Sequence, residues 1–484
     1  MNITSMLLSD AYKQVHDRQY SKGLTKLVSY WTPRKAMSKK YDRMVFFGLQ
    51  AFIQDYLVDD FNKNFFGRSL EVVLKEYRDI LSTSLGEGNY DIEKIIDLYD
   101  LGYLPLKIRA LPEGTIVSMG IPCIEITNTH PKFAWLVQFI ECLLQTELWS
   151  SCAYATVGKI YNELATDYYN KTVENGNPYM SMCDFGMRGM SCLEDSIRTS
   201  ASWLLSFDKT STLPAVEYIR EHYNARNGIG KCAISTEHSV MASNYAVDGD
   251  EITFIKRMLT ELYPHASFSM VSDTYDYWNL VKNILPKCKK EIMEHDGKML
   301  IRPDSGDIVE ITIETIKFLW DEFGGTVNSK GLDPHIGLIY GDGCTVNKVE
   351  EIYKKLEELG FAANNVAFGV GAFCFHALFE DDNKFVVLTR DTWGIAMKAT
   401  HGEIGDLKFP IYKDPKTDTT KLKKSHKGCC KVIRDDYDEL ICIDGYDKFL
   451  NDKDTELNTV FFDGIMSTFE SFDVIRKRLR GQKL

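Results

Sequence analysis

From about residue 179 onward the chain repeats one pattern of hydrophobic and polar positions. A short apolar run ends in a turn that is rich in glycine and charged residues, and an amphipathic helical pattern usually follows. The six runs with their turns span residues 179–186, 231–238, 267–273, 298–304, 335–342 and 365–371. Strands that alternate with helices predict a parallel sheet, either a barrel or a doubly wound sheet.

The helical pattern is clearest after residue 345. The apolar residues that share one face of this segment are Val346, Val349, Ile352, Tyr353, Leu356 and Leu359. Gly360 follows them in the position of a C-terminal cap. Farther upstream, Asp307 is placed as the N-cap of a helix over residues 308–323.

Residues suited to binding and catalysis follow most of the predicted strands. They are Asp184, Arg188, Glu237, His238, Asp273, Arg302, Asp304 and Asp342. Each of them taken singly is compatible with a helix cap or a turn. Polar residues follow several strands at the same, carboxyl end. This arrangement favours one shared site at the carboxyl edge of a barrel, which is where β/α barrels carry their active sites.

Residues 1–150 and 391–484 do not follow the repeated pattern. Short apolar runs at 104–110, 123–127 and 440–443 lie among helical segments there. The sequence therefore predicts an α/β fold in which residues 151–390 form an incomplete parallel β/α barrel. Residues 1–150 would form a second, mixed α/β domain, and residues 391–484 would pack back on it.

The composition narrows the class of protein. The 484 residues carry a net charge of −12, which is untypical of nucleic-acid-binding surfaces. No apolar run approaches the roughly 18 residues of a membrane span, and residues 1–20 lack the basic and apolar regions of a signal peptide. We expect a cytoplasmic enzyme that binds neither nucleic acid nor membranes. Twelve cysteines include no Cys-x-x-Cys pair, and this spacing argues against structural zinc.

Two glycine-containing turns at predicted strand ends suit a phosphorylated sugar. The Gly-Asp-Gly turn at 341–343 lets the backbone approach a ligand while its carboxylate binds ribose hydroxyls, although a plain tight turn has the same sequence. The Gly-Val-Gly turn at 369–371 offers backbone N–H groups to a phosphate. Either turn alone is a weak signal.

Two further strand ends carry side chains with defined chemistry. Pro303 disfavours helix at Arg302, so that Arg302 and Asp304 project from the end of their strand. His238 is suited to act as a base, a phosphate ligand or a phosphoryl acceptor, and the neighbouring Glu237 is placed to fix its tautomer. An ordinary hydrogen-bonded histidine fits that sequence equally well.

Taken together, these segments resemble the nicotinamide phosphoribosyltransferases, which are type II phosphoribosyltransferases. The motifs that carry the resemblance follow the family's order from residue 10 to residue 415. They are Asp10-Ala-Tyr-Lys13, Asp184-Phe-Gly-Met-Arg188, Thr236-Glu-His-Ser239, Val271-Ser-Asp273, Ile301-Arg-Pro-Asp-Ser-Gly306, Gly341-Asp-Gly343, Thr389-Arg-Asp391 and Lys413-Asp-Pro415. The set is highly specific, although no single member is.

The resemblance implies roles for the matching residues. The catalytic group would be His238, Asp304, Arg302 and Asp342, with Arg302 on the carboxamide of the base and both aspartates on the ribose hydroxyls. In the same family a histidine at the position of His238 is phosphorylated during ATP turnover. Asp273 and Asp304 would lie near Mg²⁺, which they would bind directly or through water.

The resemblance also implies how the two substrates are held. Phe185 and Tyr12 of the partner subunit would sandwich the pyridine ring, so we expect a homodimer with shared active sites. The residues expected to bind the 5′-phosphate are Gly341 and Gly371, and Ala372 of the same loop is expected to contact the substrate. Those expected to bind pyrophosphate, from the N-terminal domain, the barrel and the C-terminal segment, are Arg34, Arg188, Arg390 and Lys398. Lys413 is expected to be a further substrate-binding residue.

Three positions depart from the family pattern. Members that select nicotinamide carry an aspartate where this chain has Ser211, so the charge that repels nicotinate is missing. Ala372 and Phe373 replace glycines of the phosphate loop. Met187 stands where the nicotinamide enzymes often carry tyrosine.

The resemblance implies transfer of nicotinamide to C1 of a ribose-5-phosphate 1-pyrophosphate donor in NAD salvage. With phosphoribosyl pyrophosphate as the donor, the products are nicotinamide mononucleotide and pyrophosphate. The altered phosphate loop leaves a second donor open, ADP-ribose pyrophosphate, which would give NAD directly. Ser211 likewise leaves nicotinate open as the base, and the sequence does not decide whether ATP is coupled. The retained Asp304, Asp342, His238 and Arg390 argue against a non-enzymatic binding protein.

Overall fold

The computed structural model describes residues 3–326, 330–381, 383–418, 423–445, 449 and 453–483. The chain divides into two compact units. The first consists of Met1–Thr156, Ile219–Ala225 and Leu388–Leu484, and the second of Val157–Tyr218 and Arg226–Val387. None of the helices in the described residues is long and apolar enough to cross a membrane.

Strands occur along the whole described chain. In chain order they are β1 Lys26–Thr32, β2 Arg43–Val45, β3 Leu106–Ala110, β4 Ile116–Ser118, β5 Ile124–Asn128, β6 Met182–Asp184, β7 Ile234–Ser235, β8 Phe268–Val271, β9 Met299–Arg302, β10 Ile336–Tyr340, β11 Val366–Val370, β12 Ala377–Asp381, β13 Lys384–Val387, β14 Ala396–Ile404, β15 Leu407–Pro410, β16 Lys431–Arg434, β17 Leu440–Ile443, β18 Asn458–Phe462 and β19 Ile465–Met466.

Helices also occur along the whole described chain. In chain order they are α1 His16–Gln19, α2 Leu49–Phe52, α3 Leu70–Leu85, α4 Glu93–Leu101, α5 Leu136–Phe139, α6 Glu141–Thr172, α7 Leu193–Trp203, α8 Leu213–Tyr223, α9 His238–Asp248, α10 Ile252–Arg257, α11 Tyr277–Asn279, α12 Lys289–Glu294, α13 Ile308–Phe323, α14 Val346–Glu358, α15 Phe373–His376 and α16 Phe472–Leu479. Short 3₁₀ and π-helical turns flank several of them.

The first unit contains a seven-stranded antiparallel sheet in the order β15-β14-β1-β5-β3-β18-β19. One of its inner strands, β1, carries Leu27, Val28, Tyr30 and Trp31, and residues 27–32 are buried. Strand β1 pairs with β14 on one side and with β5 on the other. The sheet therefore joins the N-terminal residues to the C-terminal segment through main-chain hydrogen bonds.

One short segment groups with the first unit although the sequence places it inside the predicted barrel domain, residues 151–390. This is the segment Ile219–Ala225. Gln50 Nε2 donates a hydrogen bond to the carbonyl oxygen of His222 at 2.7 Å. The ring of Tyr223 stacks on Phe47 with centroids 5.2 Å apart. Long-range packing of this kind leaves no local signal in the sequence.

The second unit is built on a six-stranded parallel sheet in the order β6-β11-β10-β9-β8-β7. These are the six strands predicted from the apolar runs, and the sheet curls into part of a barrel. The predicted fold class is thereby confirmed. Because all six strands run in the same direction, the polar residues that follow them lie at one edge of the sheet.

The two edges of this curled sheet are linked by an irregular segment. Thr210 forms a parallel bridge with Asp184 at the end of β6, and Lys209 forms another with Lys231, which precedes β7. The segment that carries Ser211 therefore occupies the gap between the first and the last strand. The sequence does not predict this closure, because the segment has no apolar run of its own.

Helix ends follow the predicted capping signals. The helix predicted over residues 308–323 is α13, and Asp307 accepts hydrogen bonds from the backbone N–H groups of Val309 and Glu310 at 3.0 and 2.8 Å. Helix α14 ends at Glu358, and Gly360 adopts a φ of +74° shortly after it. The left-handed conformation favours glycine at this position.

The cap at Asp307 provides a test of the helix boundary. Asp307→Ala should lower the free energy of unfolding by about 1 kcal/mol, because two backbone donors at the start of α13 lose their acceptor. Urea denaturation measures the change. The matched control is Asp321→Ala, an exposed position on the same helix, which should have little effect. Equal effects of the two substitutions would contradict the cap.

Candidate active site

The carboxyl ends of β8 and β9 bring two carboxylates next to an imidazole. His238 Nε2 lies 4.0 Å from Asp273 Oδ1 and 3.8 Å from Asp304 Oδ2. Arg302 Nε lies 3.5 Å from Asp304 Oδ1, and its Nη2 donates to the carbonyl oxygen of Thr236 at 2.8 Å. Four residues predicted from three strand ends therefore form one cluster.

The two aspartates of this cluster are held by different means. Asp273 Oδ2 accepts hydrogen bonds from the backbone N–H of Asp304, at 3.0 Å, and from the Ser305 hydroxyl. Asp273 Oδ1 is buried and has no hydrogen-bond partner in the described structure. Burial raises the pKa of Asp304, and the nearby charge of Asp273 adds to this effect against the opposing influence of Arg302. The cluster therefore presents carboxylate oxygens that lack donors.

Gly341 allows the backbone after β10 to pass close to Asp304. A Cβ atom at this position would overlap Asp304 Oδ1, so a residue with a side chain does not fit. The next residue, Asp342, is exposed, and its Oδ1 accepts a hydrogen bond from the backbone N–H of Gly343 at 2.8 Å. Gly371 lies close by, since a Cβ there would be 3.6 Å from Asp342 Oδ1.

An aromatic ring lies on the neighbouring strand end. The Phe185 ring covers Gly369, where a Cβ atom would overlap its ring carbons. The backbone N–H of Phe185 donates to the carbonyl oxygen of Val370 at 2.8 Å, which extends the pairing of β6 and β11 by one residue. Phe185 is half-buried, so part of its ring remains accessible.

Asp184, the residue before Phe185, is fully buried and acts as a structural acceptor. Its Oδ2 accepts hydrogen bonds from Ser200 Oγ at 2.6 Å, Thr210 Oγ1 at 2.7 Å and Thr212 Oγ1 at 3.3 Å. Its Oδ1 accepts from the backbone N–H of Gly186 at 2.7 Å. Burial raises the pKa of Asp184 despite these donors.

Ser211 is oriented by the backbone of Asp184. The Ser211 hydroxyl donates to the carbonyl oxygen of Asp184 at 2.9 Å, and the Ser211 N–H donates to the same oxygen at 3.0 Å. The hydroxyl hydrogen is thereby used within the protein. The oxygen lone pairs of Ser211 are left to accept hydrogen bonds from a ligand.

The altered phosphate loop is followed by three aromatic rings. Phe373 is 59% exposed, its centroid lies 5.6 Å from that of Phe379, and Phe379 lies 5.4 Å from Phe385. Ala372 fits against Gly189, where a Cβ atom would overlap the alanine methyl group. Arg188, next to that glycine, is exposed.

The structure differs from one sequence interpretation at His238. Glu237 accepts a hydrogen bond from the Ser239 hydroxyl and so does not hold the imidazole. His238 Nδ1 instead lies 3.1 Å from Thr274 Oγ1. Thr274 and Ser305 were not predicted as site residues, because a hydroxyl in a loop after a strand is too common a feature to single out.

Five of the predicted site residues belong to the first unit: Tyr12, Arg34, Arg390, Lys398 and Lys413. Arg34 and Lys398 line one cavity of about 230 Å³, together with Lys424. Burial lowers the pKa of Arg34, and the positive charge of Arg390 lowers it further. Burial also lowers the pKa of Lys398, although Glu141 lies 3.4 Å from its Nζ.

Tyr12 and Lys413 lie outside the lining of this cavity. The Tyr12 ring is 54% exposed and packs edge-to-face on His16 at a centroid distance of 5.1 Å. Lys413 pairs through its backbone with Ser425, whose hydroxyl accepts from the Lys413 N–H at 2.9 Å. The other eleven predicted site residues belong to the second unit.

Comparison with known sequences identifies the family. The profile of the nicotinate phosphoribosyltransferase (NAPRTase) family matches residues 180–465, and that of the nicotinamide phosphoribosyltransferase N-terminal domain matches residues 4–108. This chain belongs to the nicotinate phosphoribosyltransferase family. Its members are phosphoribosyltransferases, so the protein is an enzyme of the transferase class, and the resemblance drawn from the motifs is confirmed.

Individual relatives of this phosphoribosyltransferase agree over most of its length. Nicotinamide phosphoribosyltransferase of Acinetobacter baylyi is 36% identical over 98% of this chain and 96% of its own length. Its counterpart in Xanthomonas campestris pv. campestris is 30% identical over 89% of this chain and 87% of its own. The crystal structure of human nicotinic acid phosphoribosyltransferase superposes with a TM-score of 0.58 at 15% identity, covering 98% of this chain and 93% of that one, and shows that the fold is shared.

Asp304 of this phosphoribosyltransferase should make stability depend on pH. Because burial holds its pKa above the ordinary value, the folded protein binds this proton more tightly than the unfolded chain does. The protonated carboxyl therefore contributes stability that is present below the unfolded pKa and is lost as pH rises through the folded pKa. Asp304→Asn, which resembles the protonated form, should unfold at a higher urea concentration than the wild type at pH 7.

The two proteins should converge in stability as the pH falls below about 4, where Asp304 is protonated in both states. Denaturation curves at several pH values measure the difference. Asp436→Asn, at an exposed position, is the matched control and should show no such trend. An Asp304→Asn protein that is less stable than the wild type at pH 7 would contradict the assignment.

Proposed function

We propose that this enzyme transfers nicotinamide to C1 of 5-phosphoribosyl 1-pyrophosphate, giving nicotinamide mononucleotide and pyrophosphate. The orientation of Ser211 is the observation that carries the proposal. Its hydroxyl hydrogen is used by the carbonyl of Asp184, the residue before Phe185, so its oxygen is left as an acceptor at this strand end. A carboxamide N–H₂ supplies the donor that this acceptor requires, and a carboxylate does not. The names of the relatives, nicotinamide phosphoribosyltransferases, support the same base.

The aromatic ring of the base would stack on the exposed part of Phe185. Gly369 supports the opposite face of that ring, which fixes its position before the base arrives. Tyr12 of the partner subunit would cover the second face of the base, and its exposed ring is available for such a contact. Arg302 would reach the carboxamide oxygen with its guanidinium N–H groups.

The carboxylates and glycines at the ends of β9 to β11 suit the ribose 5-phosphate. Asp304 and Asp342 would accept hydrogen bonds from the ribose hydroxyls, and the close approach at Gly341 brings the backbone N–H groups near the sugar. Gly371 and Ala372 would donate backbone N–H groups to the 5′-phosphate.

The cations would hold the pyrophosphate leaving group. Guanidinium and ammonium groups of Arg34, Arg188, Arg390, Lys398 and Lys413 suit its oxygens. In the reaction the ring nitrogen of nicotinamide forms a bond to C1, and the bond from C1 to the pyrophosphate oxygen breaks. The leaving oxygen takes the bonding electron pair, so the cations stabilise the charge that develops there. No proton needs to move at the reacting atoms.

Asp273 and Asp304 fit a Mg²⁺ ion, because Asp273 Oδ1 is a buried carboxylate oxygen without a donor. The ion would supply charge neutralisation for the pyrophosphate. His238 would accept a phosphoryl group from ATP, and its Nε2 faces the two aspartates while Nδ1 is held by Thr274. The proposed Mg²⁺ and ATP sites therefore share these carboxylates.

ADP-ribose pyrophosphate is a second candidate donor, and the rings after Ala372 favour it. Phe373 is exposed directly beyond the residues proposed for the 5′-phosphate, and Phe379 and Phe385 continue the row. A row of aromatic rings whose two outer members, Phe373 and Phe385, are exposed suits stacking of a purine base. Transfer of nicotinamide to this donor would give NAD in one step.

Mass spectrometry of the products tests the function. The protein is incubated with nicotinamide or nicotinate and with each donor, with and without ATP and Mg²⁺. Nicotinamide mononucleotide from phosphoribosyl pyrophosphate supports the first proposal, and NAD from ADP-ribose pyrophosphate supports the second. Absence of product from every combination would refute both.

We also propose that the enzyme is a homodimer that shares its active sites. The exposed Tyr12 ring and the use of residues from both terminal segments support this assembly. A fully active monomer in sedimentation experiments would contradict it. A cytoplasmic location remains part of the same proposal, since the donors and ATP occur there.

The Phe185 ring offers a direct test of base binding. Phe185→Ala should weaken the binding of nicotinamide by roughly 1–3 kcal/mol, which corresponds to the loss of one aromatic stack and its buried area. Calorimetric titration measures the change. Phe469→Ala, which removes a half-exposed ring of the first unit, is the control and should leave the affinity unchanged. Unaltered affinity in the Phe185 variant would remove this ring from the base site.

Ser211 offers a test of base selectivity. Because its oxygen is neutral, it repels a nicotinate carboxylate less than an aspartate at the same place would. Ser211→Asp should therefore sharpen the preference for nicotinamide by on the order of 1–3 kcal/mol. Competition between the two bases measures the preference, and Ser84→Asp, at an exposed position of α3, is the control. Equal and strong rejection of nicotinate by wild type and variant would show that another group sets the selectivity.

A further inference from the structure

A cluster of side chains that could bind a metal lies in the first unit, and none of its members has a role in the proposed reaction. The Cys430 and Cys442 sulfurs and a ring nitrogen of His426 lie within 4.8 Å of one another. His426 Nδ1 is 3.9 Å from Cys442 Sγ and 3.2 Å from Asp444 Oδ2. Three potential ligand atoms, two sulfurs and one nitrogen, therefore converge, and the Asp444 carboxylate lies next to the nitrogen.

The hairpin of β16 and β17 places three of these side chains on one face. Val432 is paired with Cys442 and Lys431 with Ile443, so continuing this register by one residue sets Cys430 opposite Asp444. Residues two positions apart on a strand point to the same side of it. His426 approaches this face from the segment that precedes β16, so the convergence is a property of the fold and not of local sequence spacing.

The imidazole is held in the orientation that a metal ligand requires. His426 Nε2 lies 2.9 Å from the carbonyl oxygen of Gly120, which can only accept a hydrogen bond. This contact places a ring proton on Nε2 and directs Nδ1, whose lone pair a metal ion would use in place of a proton, toward Cys442 and Asp444. Histidines that bind metals in proteins donate their other N–H to a carbonyl or carboxylate in the same way.

The neighbours of this lone pair are themselves electron-pair donors. Asp444 Oδ2 is a carboxylate oxygen, which also accepts a hydrogen bond from the Lys427 N–H at 3.3 Å and is oriented by it. Cys430 is buried, and its backbone N–H donates to the Tyr30 hydroxyl at 2.9 Å. The cluster thus consists of electron-pair donors, and hydrogen bonds hold the Asp444 carboxylate and the backbone of Cys430 in place.

We propose that His426, Cys430, Cys442 and Asp444 bind one Zn²⁺ ion. Sulfur and imidazole ligands in a four-coordinate arrangement favour Zn²⁺ over Mg²⁺ or Ca²⁺, which prefer oxygen. Tetrahedral bonds of about 2.3 Å to sulfur and 2.1 Å to nitrogen separate two such ligand atoms by roughly 3.6 Å. The separation of 3.9 Å between His426 Nδ1 and Cys442 Sγ is close to this value.

The metal would anchor one wall of the cationic cavity. His426 and Asp444 line the cavity that also contains Arg34, Lys398 and Lys424. A bound ion would tie the segment that carries Lys424 to the β16–β17 hairpin. Four protein ligands would fill the coordination sphere of the ion and leave no position open for a substrate. The ion would therefore stabilise the structure and would not take part in the transfer reaction.

Metal analysis of the full-length protein tests the site. The protein is reduced, reconstituted with ZnCl₂ and separated from unbound metal, and its content is measured by plasma mass spectrometry. We expect about one Zn²⁺ per chain for the wild type and for Cys192→Ser, an exposed cysteine elsewhere in the chain. Cys442→Ser should lose most of the metal, and Asp444→Asn, which leaves the buried core intact, should lose part of it.

Cobalt gives a second readout that does not depend on stability. Co²⁺ in place of Zn²⁺ should show a thiolate-to-metal charge-transfer band in the wild type that is absent from Cys442→Ser. Wild-type protein without metal after reconstitution would overturn the proposal, as would equal metal content in Cys442→Ser. A protein two hydrogens lighter in mass, with Cys430 and Cys442 joined in a disulfide after purification under reducing conditions, would overturn it as well.

Discussion

The buried carboxylate of Asp184 is the constraint on which the proposed base site depends. Burying a carboxylate is costly unless donors replace its water, and three hydroxyls and one backbone N–H do so here. The same donors fix the turn after β6 and the segment that carries Ser211. Phe185 and Ser211, which come from separate parts of the chain, are therefore held in one arrangement by a residue that does not itself face the base.

A different balance governs the carboxylates near His238. Asp273 Oδ1 is buried without a donor, and burial raises the pKa of Asp304 beside it. Such an arrangement lowers the stability of the protein when no ligand is bound. The arrangement becomes favourable once a cation or a hydroxyl group binds next to these carboxylates. A buried carboxylate without a hydrogen-bond donor therefore supports a binding role more strongly than one whose donors are present in the protein.

The sequence predicts those features that have a local cause. The six apolar runs appear as the six parallel strands, and the cap at Asp307 begins α13 as expected. Contacts between residues that are far apart in the chain could not be predicted. The sequence interpretation gave Asp184 a place among residues for chemistry and Glu237 a role beside His238, but the structure gives them other partners. The zinc ligands lack the usual spacing because a hairpin register, and not a short motif, brings them together.

The negative net charge of the protein explains why cationic side chains are grouped in one cavity. A chain with a net charge of −12 repels a polyanionic donor at long range, so its binding requires cations that are concentrated and partly desolvated. Burial lowers the pKa of Arg34 and of Lys398, which means that partial loss of water destabilises their charged forms. Bound pyrophosphate would offset this destabilisation, and a metal ion at the cavity wall would keep these cations in place while the anion is absent.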